Sequence, residues 1–137
     1  MIISMAWTTP QYLARRKTCT RRMWSERYLV QWQKAWDDGR HYHAVYDRSP
    51  RNGGRQIGTL RLTCRPYRQR LSEMPVSDLI DEGGLWSSLD EFIMLFGGPD
   101  LEPAVIRFEP LPFDAEKPKI DPEKRRRPDP RQSRMPL

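Results

Sequence analysis

Charge is segregated along this chain, and any fold it adopts has to accommodate that. Residues 15–70 carry fifteen Lys and Arg against four Asp and Glu, whereas residues 71–113 carry one Arg and nine acids. Two arrangements meet the constraint. The basic stretch can present a positive face to solvent, where it attracts phosphates. Alternatively, its arginines can pair with the acidic half across the fold. The pattern alone leaves both open. Residues 114–137 differ again, with eight basic and five acidic residues, five Pro and the run Lys124-Arg125-Arg126-Arg127. So few large apolar side chains cannot offset the entropy of ordering the backbone. The expectation is a folded domain over 1–113 and a flexible Pro/Arg-rich tail over 114–137, whose basic run is a solubilising or nonspecific polyanion contact.

Composition removes several classes. Five Trp, five Tyr and four Phe are too much aromatic surface for a wholly disordered chain. No stretch approaches the ~20 apolar residues of a spanning helix, so no membrane association is expected. Cys19 and Cys64 match no zinc spacing and no disulfide framework. Met1 to Ala6 is short and lacks a basic n-region, so no signal peptide is expected and the cytoplasm is the default address. Neither a cofactor nor a metal is expected.

The punctuation predicts an α+β domain, a small barrel or half-barrel interrupted by short helices. Ile2 to Ala6 reads as a strand, and Thr9-Pro10 opens a helix with Thr as N-cap. Ser25 caps a second helix with Tyr28, Leu29, Trp32, Ala35 and Trp36 at helical spacing, closed by Gly39. That period places the tryptophans of 24–36 in the core rather than in a lid. His41 to Arg48 and Gln56 to Arg65 read as strands around an Asn52-Gly53-Gly54 turn. Pro75 to Glu82 predicts one or two helical turns ending at Gly83. Ser88-x-x-Glu91 is a capping box that opens another helix, and Ala104 to Glu109 supplies a last strand.

Chemistry concentrates in Arg15-Arg16-Lys17-Thr18-Cys19-Thr20-Arg21-Arg22, read as a loop between two helices. Arg15, Arg16, Arg21 and Arg22 with backbone donors suit a phosphate. Lys17 among arginines should have its pKa depressed. Such a lysine beside Thr20 can accept the hydroxyl proton and make the threonine a nucleophile. An exposed basic loop without a fixed partner is the plainer alternative. Cys19 lies among cations but has no histidine near it in sequence, so it reads as a buried or incidental thiol. His41 and His43 share a strand face without further ligands at metal spacing.

This stretch resembles the signature of the ASCH-domain family, Gly-x-Lys-x-x-Thr-x-Arg, with Lys17, Thr20 and Arg22 on its Lys, Thr and Arg. Glu82-Gly83 is similar to the family's Glu-Gly pair. Gly97-Gly98 and Val105-Ile106-Arg107-Phe108 resemble its closing turn and last strand. Trp7-Thr8-Thr9-Pro10 looks like the opening of a subgroup common in bacteria and their phages. The resemblance spans roughly residues 2 to 112. It implies a PUA-like barrel with helices bracketing a cleft onto which the Lys-Thr stretch and the Glu-Gly corner both face. It also implies, from the family's bacterial branch, hydrolysis of N4-acetylcytidine and related acylated cytosines by Lys17, Thr20 and Glu82. Thr20 would attack the amide carbonyl, Lys17 would carry the proton, Glu82 would orient the lysine, and Arg22 would hold an anionic group or the oxyanion. Other ASCH and PUA-like domains bind RNA.

Two positions depart from the pattern. Arg15 replaces the motif glycine, so the backbone there should not freely take φ > 0 and the cleft should be narrower or more cationic. Gly84 stands where an aromatic residue follows Glu-Gly, with Leu85 and Trp86 set later. Three functional readings therefore stand side by side. The first is a module binding RNA or a modified nucleoside or nucleotide in a basic cleft. The second is an N4-acylcytidine amidohydrolase, and the third is an interaction protein without chemistry.

Overall fold

In the computed structural model, which describes residues 1–113, the sheet is organised around its longest strand, β6 (Ala104–Pro112). Its run Ala-Val-Ile-Arg-Phe is nearly continuous in apolar residues, as a strand covered on both faces requires, and Ala104, Val105, Ile106 and Phe108 are all buried. Residues 104–107 of β6 pair antiparallel with β2 (Cys19–Arg22), whereas 108–112 pair antiparallel with β4 (Gln56–Leu62). The short β5 (Tyr67–Arg68) also pairs with the start of β6. On the far side of β4 comes β3 (Tyr42–Tyr46), antiparallel to it, and then β1 (Ile2–Ser4), parallel to β3. The order β1-β3-β4-β6-β2 makes one mixed sheet. Because β6 hands over from β2 to β4 along its length, the sheet curls into a half-barrel.

Two cores hold this body together. The larger lies between the sheet and α2 (Glu26–Asp37). Ser25 caps that helix by accepting the Tyr28 N–H at 3.1 Å, and the helical period buries Leu29, Trp32 and Ala35. Trp32 is wholly buried, with Trp24 stacked on it at 5.0 Å and the His43 ring at 4.5 Å. The tryptophans of this segment are core, as their spacing predicts. The smaller core gathers Leu71, Met74, Leu79 and Phe92 beneath α3 (Asp78–Asp81) and α4 (Leu89–Phe96). At the start of α4 the Ser88 hydroxyl accepts the Glu91 N–H. The expected capping box is only half made, since the Glu91 carboxylate bonds Ser87 instead of Ser88.

Packing inside the half-barrel is close. Tyr12 of α1 (Thr9–Leu13) crosses β4 and donates to the Thr59 carbonyl at 2.7 Å. Burial pushes its phenol up to about 12. Gly58 makes room for it, because a Cβ there would stand 2.5 Å from the Tyr12 hydroxyl and 2.8 Å from the Leu111 carbonyl oxygen.

The structure corrects three expectations. The basic stretch is not a loop throughout, because Cys19–Arg22 is strand β2. Local sequence gave no sign of this, since what fixes it is pairing with β6, more than eighty residues away. The cap of α1 is Thr8, one residue earlier than expected, and the Thr9 hydroxyl donates to the Met5 carbonyl at 2.7 Å. Arg15, expected to avoid positive φ, adopts φ 60. The cause is the end of α1. Arg15 N–H bonds the Tyr12 carbonyl at 2.9 Å and Arg16 N–H bonds the Gln11 carbonyl at 3.0 Å. That paired arrangement is a Schellman closure, which places the residue after the C-cap in the left-handed region favoured by glycine. The expected tail over 114–137 lies outside the described residues.

Arg15→Gly should therefore stabilise the fold by about 0.5–1 kcal/mol, as left-handed strain is relieved and partly offset by a freer unfolded chain. Chemical denaturation of the two proteins side by side measures it, and an unchanged or lowered midpoint contradicts the account.

Candidate functional site

The period of a strand sorts the basic stretch into two faces. Thr20 and Arg22 share one, and the Arg22 Nε–H donates to Thr20 Oγ at 3.1 Å. Cys19 and Arg21 share the other, where the Arg21 guanidinium reaches toward α3. In α3 and its cap, Asp78 and Glu82 stand four residues apart and so lie one above the other on one helix face. That face meets β2. Arg21 bonds Asp78 Oδ2 at 2.6 Å, Glu82 Oε2 at 3.1 Å and the Gln69 side-chain oxygen at 2.6 Å. Arg107 of β6 completes the group with two bonds to Asp78, at 3.0 and 2.8 Å. The Arg21 side chain has no exposed surface, and those of Asp78 and Glu82 are 2% and 4% exposed.

Lys17 approaches the same corner from the other side. Its Nζ donates to the Glu82 backbone carbonyl at 2.7 Å and faces Glu82 Oε1 at 3.5 Å. The neighbouring Thr18 N–H bonds the Asp81 carbonyl at 2.8 Å, so main chain as well as side chain clips this segment to α3. Burial pushes the Lys17 amine below its ordinary value and the charge of Arg22 adds to that, while Glu82 pulls the other way. Depression of Lys17 agrees with the reading from sequence, but desolvation is its leading cause. Burial likewise lowers Arg22. The Asp78 carboxyl is penalised by burial, yet hydrogen bonds from Arg107 and Arg21 outweigh that penalty and hold it below its usual 3.8. Burial sends the Cys19 thiol up to about 12, which keeps it protonated and makes it a poor nucleophile.

Of these groups Lys17, Thr20, Arg21, Arg22 and Glu82 line a cleft of about 400 Å³. Its deep part is polar and built from Lys17, Thr20, Glu82 and Arg22, of which the first three are at most 3% exposed. The rest of its lining includes four aromatic rings, Trp7, Trp86, Phe92 and Phe96, beside residues 4–6 and Thr8. Arg22 also donates to the Ser4 carbonyl at 2.6 Å, and among the described residues no carboxylate lies within ion-pair distance of it. It is therefore the one cation of the basic stretch that lines the cleft without a carboxylate in direct contact, although the charge of Glu82 still acts on it. Arg15 and Arg16 are exposed and stand outside the cleft lining. Arg21, expected to meet phosphate, lines the cleft but is committed to two internal carboxylates.

Several residues of this site escape a reading of the sequence. Asp78, Gln69 and Arg107 act only through contacts that the chain makes on folding, although the four-residue spacing of Asp78 and Glu82 was a signal for two carboxylates on one face. Trp86, two residues beyond Gly84, lines the cleft. Gly84 itself has φ 73, which an aromatic side chain would adopt only under strain. His41 and His43 are drawn into aromatic packing against Trp36 and Trp32. Among the described residues no cluster of three or more His, Cys, Asp or Glu is placed to hold a metal ion, and no helix is long and apolar enough to cross a membrane. Comparison of the chain with family models, with curated proteins and with solved structures found no match.

Arg21→Met should cost about 3–5 kcal/mol of stability, because it strands buried carboxylates, and equilibrium unfolding in urea reads this directly. A loss below about 1 kcal/mol would mean that the ion pairs do not hold α3. The pH dependence follows from Asp78. Its pKa is depressed on folding, so its contribution is present above the unfolded value and is lost as pH falls through the folded one. Stability should therefore decline as pH drops below 3.8, and Asp78→Asn, already weakened at neutral pH, should show a shallower decline.

Proposed function

We propose that the cleft binds an N4-acylated cytosine nucleoside and hydrolyses its amide, with Thr20 as nucleophile and Lys17 as the proton carrier. The observation that carries this reading is the meeting of Lys17, Thr20 and Glu82 at one cleft, although Glu82 lies more than sixty residues along the chain from the other two. The resemblance to ASCH domains supports the same assignment, and with it a PUA-like identity for the half-barrel.

The chemistry is an acyl transfer in two halves. Thr20 Oγ forms a bond to the amide carbonyl carbon as its proton passes to the neutral amine of Lys17. Burial favours that neutral form. The negative charge that develops on the carbonyl oxygen is met by the Arg22 guanidinium, which already donates to Thr20. Lys17 then gives its proton to N4 as the C–N bond breaks and cytidine leaves. Water attacks the resulting threonine ester as Lys17 takes its proton, and Lys17 returns that proton to Thr20 Oγ as the ester bond breaks and the carboxylic acid is released. Glu82 holds the lysine through both its backbone and side-chain oxygens.

One observation favours a second reading, in which the cleft binds RNA or a modified nucleoside without chemistry. Lys17 spends its hydrogen bonds on Glu82, and the Thr20 hydroxyl accepts from Arg22, so the lysine and the threonine are not bonded to each other among the described residues. Against an RNA surface stands the placement of the arginines. Arg21 is internally paired, and Arg15 and Arg16 lie outside the cleft.

Incubation with N4-acetylcytidine should release cytidine and acetate, and Thr20→Ala should reduce the rate at least about a thousandfold. The wild-type rate should climb with pH as Lys17 loses its proton, with a midpoint below the ordinary lysine value of 10.5. A wild-type protein inert toward acylated cytidines overturns the hydrolase reading. RNA affinity that falls steeply with salt and is weakened by Arg22→Gln would then put binding in its place.

A further inference from the structure

We propose that Trp7 is the stacking wall of the cleft, so that the molecule bound there presents a flat heteroaromatic ring of the nucleobase class. This rests on the reading that the cleft takes a nucleoside, and it assigns Trp7 a part in recognition rather than in the reaction. Trp7 is 92% exposed, yet both of its near neighbours are anchored inside the protein. Met5 is 1% exposed and its N–H bonds the Tyr46 carbonyl at 2.8 Å, extending the pairing of β1 with β3. Thr8 is 6% exposed and its N–H closes a turn onto the Met5 carbonyl at 3.1 Å. The backbone on either side is thus held in place while the indole contributes to neither core. Such a tryptophan is not explained by packing.

Its surroundings say what would cover it. Trp7 lines the same cleft as Trp86 and Phe96, and Trp86 is steadied by an edge-on contact with Phe92 at 4.7 Å and 83°. Lys17, Thr20, Glu82 and Arg22 supply donors and acceptors deeper in. A cleft that sets several aromatic rings beside buried polar groups selects a ligand with an extended π-face and a hydrogen-bonding edge. A nucleobase has both, whereas a sugar, a phosphate or an acyl chain has only one of them.

The test uses the full chain and three probes: cytidine, N4-acetylcytidine, and ribose 5-phosphate, which keeps sugar and charge but lacks the ring. Both nucleosides should bind and quench tryptophan fluorescence. Trp7→Ala should weaken their affinity by about ten- to a hundredfold and remove most of the quenching, while Trp7→Phe restores most of the affinity. Because the side chain is exposed, the melting temperature of Trp7→Ala should match the wild type, which separates loss of stacking from loss of fold. Undiminished affinity in Trp7→Ala overturns the proposal, as does ribose 5-phosphate binding as well as cytidine, or a wild-type protein that binds neither nucleoside. Hydrolysis is scored separately. Trp7-dependent binding without turnover removes the hydrolase reading and leaves this one, and turnover with Trp7-independent binding does the reverse.

Discussion

The buried guanidinium of Arg21 is the constraint on which the site depends. It joins a strand of the sheet to a helix whose C-cap is Glu82, and its side chain has no exposed surface. An arginine so placed is severely desolvated, and only short, well-directed bonds to opposite charges offset that cost. Asp78 and Glu82 provide them, and the neutral amide oxygen of Gln69 adds a third bond. The fit is not complete, because the Arg21 Nε–H has no hydrogen-bond partner. Its tolerance in an otherwise satisfied cluster shows that the two carboxylates decide where the guanidinium sits.

The dependence runs mostly one way. Helix α3 is four residues long and has no side-chain cap, too little to stand by its own hydrogen bonds. Its place is set from outside, by Arg21, by Arg107 on Asp78, and by the Thr18–Asp81 backbone bond. Once α3 is so fixed, Glu82 has one oxygen toward Arg21 and the other toward Lys17. The lysine is then held in a desolvated position that lowers its pKa against the pull of Glu82. Two of the five cations in residues 15–22, Lys17 and Arg21, are consumed in building this geometry. Of the cations that reach the cleft, Arg22 is left to meet a ligand.

Much of this was legible in the sequence and some of it was not. Repeating patterns carried the fold: the helical period of Leu29, Trp32 and Ala35 under the Ser25 cap, the apolar run of β6, and the turn glycines around β3 and β4. Each is a local signal with a local cause. Lys17, Thr20 and Glu82 could be singled out because their residue types and order resemble a known signature. The exposure of Arg15 and Arg16, the inward commitment of Arg21 and the partnership of Asp78 could not. The first follows from how the chain leaves α1, and the other two from which side of β2 faces α3, a matter settled by pairing between residues far apart in the chain. The charge segregation illustrates the limit. It demanded that the basic and acidic stretches be either paired or displayed, and the folded chain does both.

What the sequence by itself determined is therefore the list of elements and the chemistry within reach: a mixed α and β body, caps and turns at their places, and an amine, an alcohol and a carboxylate with an excess of arginine. Only the tertiary structure decided which arginines are structural and which remain available, and that Trp7 shares the cleft with rings roughly eighty to ninety residues along the chain. The physical reason is the range of the forces involved. Helix and strand periods arise from neighbouring residues, whereas desolvation and ion pairing depend on what the rest of the chain brings alongside.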